Sequence, residues 1–415
     1  MSQLSLLDLC REGDSKGALD LLKHTETCKI DQVDNNGATA LIWACSNNME
    51  EVALELLKYP DKCKIDQVSN PGNTALMYAC DKGINEVALE LLKHPSECKT
   101  DQVNNEGGTA LILACDRGMK EVALKMLEYP SECNIDQASN KGNTALILAC
   151  FKGMKEVALE LLKYPDNCKI DQVNGCDCTA LILACFKGMK EVALELLKYP
   201  NECKIDQVCN DGNTALIRAC GNNMKEVALE LLKYPNECKI DQVNKCGHTA
   251  LIWACFNGMK EVALELLKYP NECKPGKASS DGNTALSYAY KNNMLEVASI
   301  IESHVSFIDR LQLSEAQKES LRQYIDEKTI EQINQLPNKE EIQERQKKLS
   351  EIKDKVKKIS KDGTCLVCLG ETNNNTVFIK CKHVLHICAE CMCVVDEKCP
   401  VCATTSEPIM GFFVI

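Results

Sequence analysis

Aromatic side chains, basic charge and long apolar stretches are all scarce in this sequence. Phe, Trp and Tyr make up 5% of its 415 residues, so the core must rest mainly on Leu, Ile, Val and Ala. The 48 basic residues are outnumbered by 60 acidic ones, and the net charge of −12 argues against a general nucleic-acid-binding protein, which needs clustered Lys and Arg. No apolar run approaches the ~20 residues that span a bilayer, and the amino terminus carries early acids rather than an export signal. We therefore expect no membrane association and a cytoplasmic or nuclear location.

Cysteine, in contrast, is abundant, with 28 residues. A disulfide-based scaffold is normally a short secreted chain, and this chain is long and lacks an export signal. We therefore expect reduced thiols. The cysteines fall into two groups, which have to be interpreted separately.

The first two thirds of the sequence repeat at a fixed interval. One unit, Asn140 to Val173, reads NKGNTALILACFKGMKEVALELLKYPDNCKIDQV. TALILAC predicts a short helix that begins at Thr144, and MKEVALELLKY predicts a second helix that Pro165 ends. The stretch that follows predicts extended segments meeting at a turn. The tripeptide Thr-Ala-Leu recurs every 35 residues, beginning at Thr39, Thr74, Thr109, Thr144, Thr179, Thr214, Thr249 and Thr284.

This pattern resembles the ankyrin repeat in its turn Gly, its Thr and Leu, its Leu-Leu pair and the Ile-Asp of the following segment. It departs from the family pattern in an Ala where Pro is usual, in two extra residues at the Tyr-Pro corner, and in Asp177 at one turn Gly position. The resemblance implies an ankyrin-repeat solenoid. With the helical linker and the small C-terminal two-zinc domain argued below, the expected fold class is mainly α. The expected domains are a capping unit at 1–34, eight repeats at 35–304, a charged helical linker at 305–360 and a zinc finger with a hydrophobic tail at 361–415.

Most of the twenty cysteines of the repeats lie at two repeated positions, one in the first helix and one at the corner before Lys-Ile-Asp. A metal array or redox sensor is one interpretation, and a small apolar side chain repeated with its unit is the one we favour. Cys176 and Cys178 lie too close together and too isolated for a convincing zinc half-site.

Ankyrin repeats bind protein partners, so positions that vary between near-identical units are the best candidates for recognition. The residue type at the position seven residues after each Thr differs between units. In three units this residue is Phe: Phe151, Phe186 and Phe256. These rings are candidate anchors for a protein substrate, with folding onto the neighbouring unit as the alternative. Trp43, Tyr78 and Trp253 are expected to fill the core.

Charge rises after the repeats. In residues 338–360, five apolar side chains fall on a 3.5-residue seam, which fits either a short dimerising coiled coil or, as we prefer, a helical hairpin.

The remaining eight cysteines crowd together with the spacing C-x2-C-x12-C-x-H-x4-C-x2-C-x7-C-x2-C, with Cys393 outside it. Zinc takes four thiolate or imidazole ligands, and a C-x2-C knuckle presents two sulfurs on one turn, so eight ligands suffice for two zinc ions. So small a segment has little apolar material, and zinc should supply its folding energy. The predicted ligands are Cys365, Cys368, Cys381, His383, Cys388, Cys391, Cys399 and Cys402.

The order of these ligands resembles the RING finger. The resemblance implies interleaved pairing, with Cys365, Cys368, Cys388 and Cys391 on one ion and Cys381, His383, Cys399 and Cys402 on the other. Four residues separate His383 from Cys388 where two or three are usual, and His386 is the alternative to Cys388.

RING fingers recruit a ubiquitin-charged conjugating enzyme and act by positioning, without a catalytic residue of their own. By resemblance, Leu366, Val367, Val395 and Pro400 would contact that enzyme. Phe412 and Phe413 resemble the tail of inhibitor-of-apoptosis RING fingers, which forms a dimer and touches ubiquitin; a tail tucked onto the zinc module is the alternative. Ala403 stands where many active RING fingers carry a cation.

The sequence thus predicts a RING-type ubiquitin ligase that binds an unknown protein substrate through its repeats and homodimerises, if at all, through its tail or residues 338–360. The alternative is a non-enzymatic ankyrin scaffold with a zinc-dependent docking or dimerisation module.

Overall fold

The structure is a computed structural model and describes residues 4–24, 28–94 and 97–305. The repeat consists of two short antiparallel helices followed by a corner and a turn. The amino-terminal pair is Leu6–Glu12 and Ser15–Leu22. The first helices of the following repeats are Ala40–Ser46, Ala75–Lys82, Ala110–Arg117, Ala145–Lys152, Ala180–Phe186, Ala215–Gly221, Ala250–Phe256 and Ala285–Lys291. The second helices are Glu50–Leu56, Asn85–Leu91, Lys120–Leu127, Lys155–Leu161, Lys190–Leu196, Lys225–Leu231, Lys260–Leu266 and Leu295–His304.

Each repeated Thr starts its helix as predicted. The Thr144 hydroxyl accepts a hydrogen bond from the Ile147 amide at 3.2 Å, and the other seven threonines cap their helices in the same way. This bond satisfies one of the amides that the first turn of a helix leaves unpaired. Thr144 is itself fully buried, so the same residue that starts the helix also belongs to the interior.

The end of the second helix is where the prediction was wrong. The helix ends at Leu161, and Pro165 occupies the first position of a separate 3-10 turn, Pro165–Asn167. Proline is well suited to a first helical position because its missing amide would be unpaired there anyway. The corner therefore starts a new short element, and Pro60–Cys63, Pro130–Glu132 and Pro270–Cys273 are its counterparts in other repeats.

The predicted extended segments are also absent. Within the described residues, the Lys-Ile-Asp-Gln stretches form turns, and backbone bridges are limited to Val33 with Thr39 and Ala278 with Thr284. The turn tips instead hydrogen bond to the tips of neighbouring repeats: the Asn140 amide donates to the Glu106 carbonyl at 2.9 Å. This contact joins repeat to repeat, while a bond such as that from the Ser139 amide to the Asn143 carbonyl at 2.9 Å closes the turn within the repeat.

The described residues divide into two compact units, the first ending at Asn210 and the second beginning at Asp211. In the first unit, consecutive first helices pack side by side, and the second helices do the same behind them. The described part of the second unit is built in the same way. Leu146, Leu161 and their counterparts are fully buried between helices, so each repeat buries its apolar face against its neighbours.

Two glycines of one repeat, Gly142 and Gly153, have the same left-handed φ of +74° but different surroundings. A Cβ at Gly153 would meet nothing within 4 Å, whereas a Cβ at Gly142 would lie 2.6 Å from the Val173 carbonyl at the end of the same repeat. We expect Gly153→Ala to cost about 1 kcal/mol through backbone strain alone. Gly142→Ala should cost about 1–3 kcal/mol more because of the close approach. Urea unfolding of the two variants would measure this difference, and equal losses would contradict it.

Candidate protein-binding surface

The candidate surface is a row of side chains at the ends of the first helices. We call the residues seven positions after each Thr the helix-end row. In the first unit it comprises Ser46, Asp81, Asp116, Phe151 and Phe186, and in the second unit Gly221, Phe256 and Lys291. Because these helices pack side by side in register within each unit, equivalent residues of adjacent repeats are neighbours in space.

The three phenylalanines predicted as anchors are exposed. Phe151 has 44% of its surface accessible, Phe186 has 40% and Phe256 has 45%. Large apolar side chains in such numbers at one repeated position are unusual in a chain whose aromatic content is 5%. The rings also contact neighbouring side chains. They therefore combine the exposure expected of anchors with the contacts expected of rings that fold onto the neighbouring unit.

The acidic members of the row pair with cations of the next repeat. Arg117 Nη2 lies 2.8 Å from Asp81 Oδ1, and Lys152 Nζ lies 3.6 Å from Asp116 Oδ1. The hydrogen bond that Arg117 donates to Asp81, together with the charge of that carboxylate, raises the pKa of Arg117. The cation of each pair is the residue that directly follows the helix-end row position of its own repeat.

Lys187 occupies that same position but has aromatic neighbours. Its Nζ lies 5.4 Å from the centroid of the Phe151 ring and 5.4 Å from that of Phe186. Lys152 Nζ also lies 5.6 Å from the Phe151 centroid. These distances are within the range of cation–π attraction. An exposed ammonium flanked by two half-exposed rings is the most distinctive arrangement on the surface of the first unit.

The second unit carries an aromatic cluster of its own. His248 stacks on Trp253 with centroids 4.5 Å apart, and Phe256 meets Trp253 and Tyr288 edge-on at 5.4 and 5.0 Å. Burial lowers the pKa of His248, against the opposing effect of Asp281. Arg218 stands at the position of Trp253 one repeat earlier and forms an ion pair with Asp211 at 3.3 Å.

The expectation that Trp43, Tyr78 and Trp253 fill the core was wrong, because all three are half-buried and border the surface. The Trp43 indole donates a hydrogen bond to Asp34 Oδ2 at 2.9 Å. Burial by itself would raise the pKa of Asp34, but this bond and those from the Ala38 and Asn36 amides outweigh it and lower the pKa. A cleft of about 420 Å³ lies between Trp43 and Tyr78 and is bordered by Pro71.

The repeated cysteines are part of the interior. The first-helix series is Cys10, Cys45, Cys80, Cys115, Cys150, Cys185, Cys220 and Cys255, and every member is buried; the corner series is Cys28, Cys63, Cys98, Cys133, Cys168, Cys203, Cys238 and Cys273, and only Cys28 is partly accessible. Burial raises the pKa of Cys115 and Cys168 to about 12. Thiols of this kind are neutral at physiological pH and unreactive.

No group of three or more His, Cys, Asp or Glu that could hold a metal occurs in the described residues. None of the helices between residues 4 and 305 is long and apolar enough to cross a membrane. The predicted zinc ligands between Cys365 and Cys402, the conjugating-enzyme contacts at Leu366, Val367, Val395 and Pro400, the tail residues Phe412 and Phe413, and the segment 338–360 lie outside the described residues.

Comparison with known proteins matches the helical region to one family. The family described as Ankyrin repeats (3 copies) matches residues 6–102, 88–174, 164–244 and 230–309. The chain belongs to the ankyrin-repeat family. No curated protein matches the chain.

Among solved structures, the ankyrin repeat domain of human ASB11 is similar at 22% identity. The match covers 56% of this chain and 97% of that one, with a TM-score of 0.40. Ankyrin repeats are non-catalytic interaction domains, and the family assignment therefore identifies residues 6–309 as a protein–protein interaction scaffold.

The variation between repeats singled out the three phenylalanines, which are exposed, but it did not reveal Lys187. Lys152 and Lys187 look equivalent in the sequence, since each directly follows a Phe. They differ in the side chain that the preceding repeat presents to them: Asp116 for Lys152 and Phe151 for Lys187. A comparison of each cation with the helix-end row residue one repeat earlier could have found the difference.

Proposed function

We propose that this ankyrin-repeat protein is a RING-type ubiquitin ligase. The repeats bind a protein substrate, and residues 361–415 fold around two zinc ions and recruit a ubiquitin-conjugating enzyme. The observation that supports this proposal is the series of eight Cys and His residues between Cys365 and Cys402 at zinc-ligand spacing. Seven thiolates and one imidazole are the donors that zinc prefers over harder divalent ions.

Zinc in such a module supplies structure rather than reactivity. A zinc ion held by four protein ligands has no open position for water or substrate, as in other structural zinc sites. The chain would contribute apolar contacts for the conjugating enzyme at Leu366, Val367, Val395 and Pro400. Catalysis would consist in holding the ubiquitin thioester where a substrate lysine can attack it.

A non-enzymatic scaffold is the second candidate, and two features of the sequence favour it. Ala403 stands where many active RING fingers have a cation, and four residues separate His383 from Cys388. In that case the zinc module would dock or dimerise, through Phe412 and Phe413 of the tail or through residues 338–360. The same tail in a ligase would let one subunit stabilise ubiquitin bound at the other.

A reconstituted reaction separates the two candidates. The full chain, loaded with zinc, is combined with activating enzyme, ubiquitin, ATP and each member of a panel of conjugating enzymes. We expect ubiquitin chains or modification of the protein itself with at least one conjugating enzyme, and faster discharge of its thioester to free lysine. A zinc-loaded, folded chain that discharges none of them would establish the scaffold instead. Omission of the chain gives the background rate.

A further inference from the structure

We propose that Lys187, between Phe151 and Phe186, binds a partner segment that carries a carboxylate next to an apolar side chain. This inference rests on the substrate-binding part of the proposed function and gives that substrate a chemical signature. It does not depend on whether the zinc module is a ligase.

The first step of the argument is the pairing rule of the helix-end row. Arg117 pairs with Asp81, and Lys152 is near Asp116, so in two successive steps the cation faces an acid from the preceding repeat. At the next step the preceding repeat presents Phe151. Lys187 therefore keeps the cation of the pair, but Phe151 stands where the preceding repeat would present a carboxylate.

The second step concerns what surrounds Lys187. It is exposed, and its charged contacts within the described residues are with the two rings and not with a carboxylate. An exposed ammonium over aromatic faces is attracted by about 0.5–1 kcal/mol, which is less than a hydrogen bond to a charged group contributes. A carboxylate from outside would therefore complete a pair that the neighbouring repeats complete internally.

The third step is the apolar half of the signature. Phe151 and Phe186 leave 44% and 40% of their surfaces in water on either side of the ammonium. An aromatic or aliphatic side chain laid on these rings would remove that surface from water while its adjacent acid reaches Lys187. Covering the rings also shields the new ion pair from solvent, which strengthens it.

The geometry fits a carboxylate better than a phosphate. Phosphopeptide-binding sites use clusters of Arg, whose planar groups make paired hydrogen bonds to phosphate oxygens. Lys187 is a point charge, and the cation at the equivalent position of the preceding repeat, Lys152, lies close to Asp116. One carboxylate matches one available ammonium.

The test is selection of random peptides displayed on phage against the immobilised full chain. We expect enriched sequences with Asp or Glu within two positions of Phe, Trp or Leu. Lys187→Glu should weaken binding of an enriched peptide by about tenfold or more, since a charge-assisted contact is lost and repulsion replaces it. Exchanging the peptide's acid for Lys should restore binding to Lys187→Glu, which no general loss of folding would produce.

Lys163→Glu is the matched control because it makes the same change of charge in an exposed residue just after a second helix. It should leave peptide binding within about twofold. The proposal is overturned if no acidic–apolar motif is enriched, or if enriched peptides bind the Lys187→Glu and Lys163→Glu variants equally. Synthesis of free ubiquitin chains by the same variants reports on the ligase independently, so failure of either idea can be recognised alone.

Discussion

Raising the pH above about 9 is expected to unfold the repeats within a narrow interval, because so many thiols are buried in neutral form. Each thiol titrates near its ordinary value of 9.0 once the chain is unfolded, whereas burial raises the folded pKa to about 12 for Cys10, Cys98, Cys115, Cys133, Cys168, Cys238 and Cys273. The unfolded state therefore loses protons first. The stabilisation is fully present below pH 9 and is lost as the pH rises toward 12.

The expected size of this effect follows from proton linkage. Each such thiol removes about 1.4 kcal/mol of unfolding free energy per pH unit in this window, so seven of them remove roughly 10 kcal/mol per unit. Typical domains are stable by about 5–15 kcal/mol, and we therefore expect unfolding between about pH 9.5 and 10.5. Urea titrations followed by helical circular dichroism, in the presence of a thiol reductant, would measure the slope.

A fourfold variant provides the control, since lysine and tyrosine ionisation also destabilise proteins at high pH. Cys98, Cys115, Cys168 and Cys238 belong to these seven thiols and are fully buried, and Ala replaces each with a smaller apolar side chain. The variant is expected to lose stability near neutral pH, but its slope with pH should fall by roughly 5 kcal/mol per unit. A slope equal to that of the unchanged chain would show that the thiols do not cause the alkaline unfolding.

Local chemistry made much of the fold predictable. The Thr that starts each helix acts on amides within the first turn, and the core Leu, Val and Ala recur at helical spacing. Eight repeats show the same pattern. The corner was not predictable in this way. Proline is compatible both with ending a helix and with occupying the first position of another, and the choice between them depended on the tertiary position of the Tyr-Pro corner.

The contacts between the turn tips of the described repeats were not predictable for a similar reason. The Gly175 amide donates a hydrogen bond to the Lys141 carbonyl of the preceding repeat at 2.8 Å, and a single unit of sequence contains only one member of that pair. The half-buried Trp43 and Trp253 were assigned to the core for a related reason. Their size suits a core. At the surface, however, the Trp43 ring nitrogen donates a hydrogen bond to Asp34, and the Trp253 ring stacks on His248.

The zinc hypothesis makes the sharpest prediction at Cys391 and Cys393, which lie two residues apart and carry the same side chain. Cys391 is a predicted ligand and Cys393 a predicted free thiol. Cys391→Ala should reduce bound zinc from two ions to one or none and slow discharge of the conjugating enzyme by about 100-fold or more, because metal binding supplies the folding energy of so small a module. Cys393→Ala should keep both ions and the full discharge rate.

Elemental analysis of the purified full-length variants and single-turnover discharge of a charged conjugating enzyme give the two readouts. Equal zinc loss in both variants would contradict the ligand assignment. A Cys391→Ala protein that keeps two ions and full activity would contradict the RING pairing of the ligands. The same measurements on Cys388→Ser and His386→Ala decide the fifth ligand. We expect Cys388→Ser to lose zinc and His386→Ala to retain it, because only Cys388 has a knuckle partner, Cys391, three positions later.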